Sequence, residues 1–163
     1  MTHQNDSMVW FWYGPISNFW PCKFTENDIE YNCSEQYFMA QKAKLFNDTY
    51  TENEIMKVHS PKFQKSLGRT VANFNQSVWN SNCEEIMIRA NRLKYSQNPE
   101  LKQLLVNTGN KEIVEASPYD TIWGIGLNPY DPNVEDKTKW KGENKLGKCL
   151  MVVRDEMIVR DAS

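Results

Sequence analysis

Hydrophobic residues along this chain first follow the spacing of short strands and then, over most of its length, the spacing of helices. Residues 8–13 are mostly aromatic or β-branched and end at a Gly-Pro pair, which is typical of a strand running into a turn. Two further strands, joined by a polar turn at residues 25–28, are predicted at residues 22–24 and 29–33. Alternating charged and apolar residues at 112–116 predict another strand.

Helical spacing of apolar residues predicts a succession of helices through the rest of the chain. Their starts are marked by Ser34 as an N-cap, by Ser60 followed by proline, and by capping boxes at residues 51–54 and 81–84. Gly68 marks the end of one helix. The predicted segments are residues 34–46, a short helix from residue 51, residues 61–68, residues 81–97, residues 100–106, and the start of residues 146–159.

These elements predict an α+β fold, mostly α, with several helices around a small antiparallel sheet. The 163 residues, 40% of them hydrophobic, suffice for one compact domain, and no linker divides them. We therefore expect a single domain over residues 1–163, with residues 1–7 flexible. Residues 127–142 are rich in Asn, Asp and Pro, which predicts a long loop. A loop of this length is usually functional, so it is a candidate rim or lid of a pocket.

The charge balance gives no general attraction for nucleic acid. The chain has 19 basic and 21 acidic residues, a net charge of −2, so any contact with nucleic acid is expected to be local. No apolar run approaches the roughly 18 residues of a membrane span, and the first residues lack the pattern of a secretory signal. The sequence predicts a soluble, cytoplasmic protein without membrane contact, and it leaves the oligomeric state open.

Cysteine and histidine spacing gives no sign of a metal site. The four cysteines form no CxxC pair, and the two histidines lack the spacing of metal ligands. We therefore predict free thiols, no disulfide, no metal and no cofactor. The residues concerned are Cys22, Cys33, Cys83, Cys149, His3 and His59.

The predicted helix at residues 34–46 carries an acid and an amine on one face. Glu35 and Lys42 are seven positions apart, about 10 Å along the helix axis, which leaves room for a sugar-sized group between them. Each residue also has an ordinary explanation. A carboxylate at a helix N-terminus is stabilised by the macrodipole, and a lysine on a helix is commonly a solvated charge.

Several short motifs, taken in their order along the chain, resemble the YbiA-like, or NADAR, family. The resemblance runs from about Phe11 to Arg154, nearly the whole chain. The resemblance also includes Trp79, Ile86-Met87 and Val114-Glu115. The motifs are Ser17-Asn18-Phe19, Ser34-Glu35-Gln36-Tyr37-Phe38, Ala40-Gln41-Lys42, Leu67-Gly68-Arg69, residues 119–126 and residues 142–147.

The resemblance implies a hydrolase of N-glycosyl bonds, of the EC 3.2.2 type, that cleaves between a ribose anomeric carbon and a base nitrogen. The activity we favour is removal of ADP-ribose from guanine in nucleic acid, with ADP-ribosylated DNA or RNA bound through a local site. One alternative is hydrolysis of the ribosylamino-pyrimidine 5′-phosphates of riboflavin biosynthesis. Another is a module that binds ADP-ribose or NAD without cleaving it. The expected ligand is thus ADP-ribose or a ribosyl phosphate.

The resemblance also implies roles for individual residues. Cleavage of a ribosyl C–N bond needs stabilisation of positive charge at the anomeric carbon and a proton for the leaving nitrogen. Glu35 and Asp120 are candidates for these tasks, while Lys42 is a candidate nucleophile that forms a Schiff base, and the choice between Glu35 and Lys42 at the anomeric carbon stays open. The predicted substrate-binding residues are Asn18, Phe19, Arg69, Trp79, Trp123, Gly124, Asn144 and Gly147.

Overall fold

The computed structural model describes residues 2–163. The α+β fold predicted from the sequence is confirmed, with most of the regular structure in helices. The helices are α1 (Ser34–Leu45), α2 (Thr49–Lys57), α3 (Pro61–Gly68), α4 (Gln76–Gln97), α5 (Pro99–Val106) and α6 (Lys145–Asp161). The strands are β1 (Thr2–Gln4), β2 (Met8–Phe11), β3 (Phe24–Glu26), β4 (Ile29–Tyr31) and β5 (Glu112–Glu115).

The described chain forms two compact units. One, the continuous unit, is Asn18–Asn98; the other, the split unit, combines the residues up to Ser17 with Pro99–Ser163. The expectation of a single domain over the whole chain stays a prediction.

Helix α1 is the structural centre of the continuous unit. Helices α2, α3 and α4 all pack on it, and the hairpin of β3 and β4 contacts α4 and α1. Nearly every residue from Ser34 to Ala43 is buried, the polar ones included. Because α1 is enclosed on several sides, its polar side chains must find partners inside the unit or accept a ligand.

The split unit is built on a three-stranded sheet in the order β1-β2-β5. β1 and β2 are antiparallel, while β2 and β5 are parallel with Phe11 opposite Glu115. Helix α6 packs on β5, and α5 packs on α6. The sheet contributes Met8 and Val114 to a buried apolar cluster that also contains Ile125. Each such fully buried side chain contributes about 1.5–3 kcal/mol to stability.

Several predicted helix starts are wrong by one or more residues. Cys33, rather than Ser34, is the N-cap of α1, because its thiol accepts the N–H of Gln36 at 3.4 Å. Asp48 caps α2, and α4 begins five residues before the predicted box at residue 81. The start of α3 at Ser60 and Pro61 is confirmed. The physical reason is shared: any side chain that can accept from the first turn competes for the cap.

The sheet differs from the single antiparallel sheet predicted. There are two sheets among the described residues, and the larger contains the parallel pair of β2 and β5. Residues 1–7 were expected to be flexible, yet Thr2–Gln4 forms β1 against β2. The sequence of β1 is polar and three residues long, so it lacks the alternation that predicts strands. Met1 lies outside the described residues.

The predicted loop at residues 127–142 contains no α-helix and no strand, but it is locally ordered by 3₁₀ turns. Pro132–Glu135 and Lys137–Lys139 are capped by the carboxylates of Asp131 and Asp136. The indole Nε1 of Trp140 donates to the carbonyl of Val134 at 2.7 Å. These contacts tie the loop to itself; its role as a rim or lid stays a prediction. Across residues 2–163, no helix combines the length and apolarity of a membrane span.

Candidate active site

Glu35 sits in the first turn of α1 with its backbone held in place. Its N–H donates to the carbonyl oxygen of Asn18 at 3.1 Å, which satisfies one of the free donors at the start of the helix. The side chain is only 5% exposed. A buried carboxylate at a helix N-terminus is favoured in its charged form by the macrodipole, so Glu35 combines burial with a local source of positive potential.

Lys42 lies two turns further along α1, on the same side, and is half-buried. Burial lowers the pKa of Lys42 below its ordinary value of 10.5, and the positive charge of Arg69 lowers it further. The negative charge of Glu35 acts in the opposite direction but is outweighed. A lysine with a lowered pKa has a larger neutral fraction near neutral pH, and the neutral amine is the nucleophilic form.

Two aromatic rings face the amine of Lys42. Its Nζ lies 4.8 Å from the centroid of the Phe74 ring and 5.4 Å from that of Trp79. Trp79 is nearly buried and packs against Phe38 at a centroid distance of 5.1 Å. Phe74 remains 42% exposed. The rings therefore fix the direction of the lysine side chain and still leave one aromatic face open to solvent.

The side chain of Asn18, near this helix, has a buried acceptor atom without a hydrogen-bond donor among the described residues. Its Nδ2 donates weakly to the Sδ of Met87 at 3.5 Å, whereas its Oδ1 is buried and has no hydrogen-bond partner among the described residues. A buried carbonyl oxygen without a donor carries a free-energy cost that a ligand hydroxyl can remove. This geometry suits the sugar-binding role predicted for Asn18. The neighbouring Phe19 is half-buried.

The opposite side of α1 is occupied by a hydrogen-bonded network. The Nε of Arg89 donates to the hydroxyl of Tyr37 at 2.6 Å, and its Nη2 donates to Gln41 Oε1 at 3.1 Å. Tyr37 in turn donates to a carboxylate oxygen of Glu26 at 2.9 Å. These hydrogen bonds fix α1 on the side opposite Glu35 and Lys42, and so hold the helix that carries both residues in place.

Lys94 is a second unusual lysine of the continuous unit. It is fully buried in α4, and burial lowers its pKa to about 8, while the thiols of Cys22 and Cys33 act in the opposite direction. Helical spacing alone places Lys94 on the buried side of its helix, but it gives no sign of this environment. The amine of Lys94 is therefore an ionisable group inside the unit, where burial disfavours its charged form.

In the split unit, Asp120 shapes the loop that follows β5. Its Oδ1 accepts the N–H groups of Ile122 at 2.9 Å and Trp123 at 2.8 Å. Gly124 follows, and an added Cβ there would lie 3.0 Å from the carbonyl oxygens of Asp120 and Glu115. The observed role of Asp120 is therefore to hold a tight turn. Its predicted catalytic role stays a prediction, as do the substrate contacts of Trp123 and Gly124.

Asn144 and Gly147 join the start of α6 to β5. Asn144 is fully buried in the left-handed conformation, with φ of 55°, and its amide accepts from Glu115 N–H at 3.0 Å and donates to Ile113 O at 2.9 Å. A Cβ at Gly147 would collide with the same Ile113 carbonyl. Both residues thus have a demonstrated part in packing, and their substrate-binding roles remain predictions.

The structure brings one group of predicted site residues together around α1. In the continuous unit, Glu35, Lys42 and Arg69 interact electrostatically, and Trp79 contacts the lysine. The predicted residues of this unit are Asn18, Phe19, Glu35, Lys42, Arg69 and Trp79. The predicted residues of the split unit are Asp120, Trp123, Gly124, Asn144 and Gly147.

Sequence reasoning missed Phe74 as a neighbour of Lys42. It lies outside every motif, in the segment between α3 and α4, and it follows Asn73 with a positive φ of 60°. A turn-forming Asn before an aromatic residue was the only available signal. Within residues 2–163, no group of three or more His, Cys, Asp or Glu side chains could hold a metal. All four cysteines are free thiols.

The fold and the α1 residues define a class: an α+β protein with a half-buried lysine and a buried carboxylate on one face of a helix, groups of the kind used in covalent or acid–base catalysis. A family model described as NADAR domain matches residues 8–158. The chain therefore belongs to the NADAR domain family, as the motifs predicted.

Individual relatives extend this result. The chain is 46% identical over 146 residues to N-glycosidase R617 of Acanthamoeba polyphaga mimivirus, covering 86% of each chain. It resembles the NMR structure of the Escherichia coli protein YbiA with a TM-score of 0.80 and 30% identity, covering 99% of this chain and 90% of that one. It is also 30% identical to riboflavin biosynthesis protein VVA0006 of Vibrio vulnificus, over 89% of this chain and 36% of that protein.

Proposed function

We propose that this protein removes ADP-ribose from guanine in nucleic acid by hydrolysing the bond between the ribose anomeric carbon and a base nitrogen. The coarser activity, hydrolysis of an N-glycosyl bond, follows from membership of the NADAR family and from relatives that carry the name N-glycosidase. The substrate is the part that is proposed. A single observation supports the mechanism most strongly: Lys42, with a lowered pKa, lies on the same face of α1 as Glu35, two helical turns away.

In the proposed first step, the neutral amine of Lys42 attacks the anomeric carbon. The bond from that carbon to the base nitrogen breaks, and its electron pair leaves with the nitrogen. The Glu35 carboxylate accepts the proton that the lysine nitrogen loses and passes it to the departing base nitrogen. The base departs and the ribose is held as an N-glycoside of Lys42.

In the second step, the ribose ring opens and the sugar is released by water. The bond from the anomeric carbon to the ring oxygen breaks, the oxygen gains a proton, and a Schiff base forms between the carbon and Lys42. Water adds to this carbon, the lysine amine leaves, and the free sugar closes again. One water molecule is consumed and no oxidant or reductant is needed.

Neighbouring residues suit the rest of the substrate. The unpartnered Oδ1 of Asn18 can accept a hydrogen bond from a ribose hydroxyl, and the exposed Arg69 can pair with a phosphate. Phe74 offers an open aromatic face close to the amine. Together they would recognise a ribosyl phosphate through its sugar and its charge.

Borohydride trapping tests the covalent step directly. The protein is incubated with ADP-ribose, reduced, digested and examined by mass spectrometry. We expect a reduced adduct on Lys42, no adduct in Lys42→Ala, and an unchanged adduct in Lys44→Ala, an exposed lysine of the same helix. Absence of the adduct on Lys42 in the parent protein would contradict the Schiff base.

A second experiment decides the substrate. The protein is given an oligonucleotide carrying ADP-ribosylated guanine and, separately, a ribosylamino-pyrimidine 5′-phosphate, and release of the base is followed by mass spectrometry. The alternative substrate is supported by the relative named as a riboflavin biosynthesis protein. We expect turnover of the oligonucleotide; turnover of the pyrimidine alone would show that the alternative is correct.

A further inference from the structure

Three aromatic side chains form a cluster in the split unit, which we call the aromatic platform: the half-buried Trp12 and the exposed Tyr13 and Tyr119. The rings of Trp12 and Tyr13 are stacked, with centroids 4.7 Å apart and planes 23° apart. The ring of Tyr119 lies 5.8 Å from Trp12. Tyr13 is 58% exposed and Tyr119 is 87% exposed. Trp12 contacts both tyrosines, and the two tyrosine side chains remain largely open to solvent.

The sheet explains why these residues meet. Trp12 and Tyr13 directly follow β2, and Tyr119 follows β5 by four positions. β2 and β5 are parallel and end side by side, and the N–H of Ala116 donates to the carbonyl of Phe11 at 2.6 Å. The carboxyl ends of neighbouring parallel strands are a recurring position for ligand sites, because the segments leaving them converge.

Positive charge is concentrated in a segment that is hydrogen-bonded to the loop carrying Tyr119. Residues 137–148 contain five lysines and one acidic residue, Glu143, while Glu135 and Asp136 directly precede the segment and Lys137 forms an ion pair with Glu112. The N–H of Glu143 donates to Thr121 O at 2.9 Å, which fixes this segment beside the loop. Lys141 and Lys148 are exposed. The arrangement supplies a local attraction for phosphates on a chain whose net charge is −2.

We propose that the aromatic platform binds single-stranded nucleic acid, stacking on bases of the strand that carries the modified guanine while the exposed Lys141 and Lys148 contact backbone phosphates. Proteins commonly bind single strands through exposed aromatic rings and lysines, since every base has a face that can stack on a ring. The bases of a duplex are already stacked and cannot reach the rings. This inference rests on the proposed function, because it names the nucleic acid that carries the ADP-ribose.

Binding of unmodified DNA tests the platform independently of catalysis. Fluorescence anisotropy is measured on the full chain with a labelled single-stranded oligonucleotide and with its duplex. Because the ring of Tyr119 would stack on a base, we expect Tyr119→Ala to weaken single-strand binding on the order of 10-fold. Tyr50→Ala, which removes a 75% exposed tyrosine of the continuous unit, is the matched control and should bind like the parent.

Salt dependence tests the lysines. Loss of one phosphate contact should reduce the slope of log affinity against log salt by about 1, so Lys141→Ala is expected to show this change. Equal binding by Tyr119→Ala and Tyr50→Ala would overturn the platform. Preference for the duplex over the single strand would overturn it as well.

A kinetic comparison separates failure of the platform from failure of the proposed function. Turnover is measured on an ADP-ribosylated oligonucleotide and on ADP-ribosylated guanosine, and the ratio of the two kcat/KM values is compared between Tyr119→Ala and the parent. We expect the ratio to fall in Tyr119→Ala. An unchanged ratio with active enzyme contradicts the platform alone. Single-strand binding through Tyr119 without release of ADP-ribose from either substrate contradicts the proposed function and leaves the platform standing.

Discussion

The two units use their motif residues in different ways. In the continuous unit, Glu35 and Lys42 present ionisable side chains on one face of a buried helix, and Asn18 keeps an acceptor without a partner. In the split unit, the side chain of Asp120 hydrogen-bonds to the backbone of its own loop, and that of Asn144 hydrogen-bonds to the backbone of β5. Motifs that are equally clear in the sequence therefore differ in the structure: one set presents polar and ionisable side chains, and the other forms hydrogen bonds that fix the backbone.

Substitution of Lys42, the proposed nucleophile, gives the largest expected effect and could break this comparison. Lys42→Ala should lower kcat on the order of 10²- to 10⁴-fold, because it removes the proposed nucleophile, while the free energy of unfolding changes little for a half-buried side chain. Steady-state kinetics and urea unfolding measure the two effects. Lys44→Ala is the control. A Lys42→Ala enzyme as fast as the parent would place Lys42 among the structural residues.

Asn144→Ala should show the reverse behaviour, a loss of stability. The change leaves the N–H of Glu115 and the carbonyl of Ile113 without their partner and puts alanine in a left-handed conformation. We expect the free energy of unfolding to fall by roughly 2–4 kcal/mol. Urea denaturation measures the change, and Asn107→Ala, a substitution at an exposed Asn just after α5, serves as a comparison. A stable Asn144→Ala protein would remove the structural role.

Burial of Lys94 makes the free energy of unfolding depend on pH, which tests the description of the continuous unit. Its pKa is about 8 in the folded protein and is lowered from 10.5, so between these values the unfolded chain binds more protons. The free energy of unfolding should therefore rise with pH across this window, by about 2 kcal/mol between pH 8 and pH 10. Lys94→Met should lack this rise relative to the parent in urea titrations at both pH values. Parallel pH dependence in the two proteins would contradict the prediction.

Asp120 gives the smallest expected effect and decides between its two roles. Asp120→Asn keeps an acceptor for the N–H groups of Ile122 and Trp123, so stability should be retained, whereas Asp120→Ala should lose about 1 kcal/mol. Thermal unfolding and kcat are measured for both variants. A stable Asp120→Asn protein with a large loss of kcat would support the catalytic role predicted from the sequence and weaken the contrast between the units.

The sequence predicts most of the helices but only part of their ends. Ser60 and Pro61 are a cap signal with few competitors, and α3 begins there. At α1 the signal is misleading because the thiol of Cys33 takes the position expected for Ser34. A three-residue polar strand such as β1 exists only through its pairing with β2, so no local pattern could predict it.

The candidate site divides in the same way. The spacing of Glu35 and Lys42 along one helix is a local property, and their shared face could be predicted. The ring of Phe74 reaches Lys42 through a turn between two helices, which depends on tertiary packing and leaves no mark in the spacing of residues. Burial of Lys94 is likewise decided by the elements packed around α4.

The parallel pair of β2 and β5 has a consequence for synthesis. Phe11 faces Glu115, and the whole continuous unit lies between them in the chain. All the partners within the continuous unit are available once residue 98 has left the ribosome, whereas β2 must wait until β5 emerges. Pairing across so long a separation is slow. During translation β2 therefore stays unpaired with β5 until β5 has emerged. Mutations that expose the apolar residues of β2 are expected to lower the yield of protein more than the stability of the folded protein.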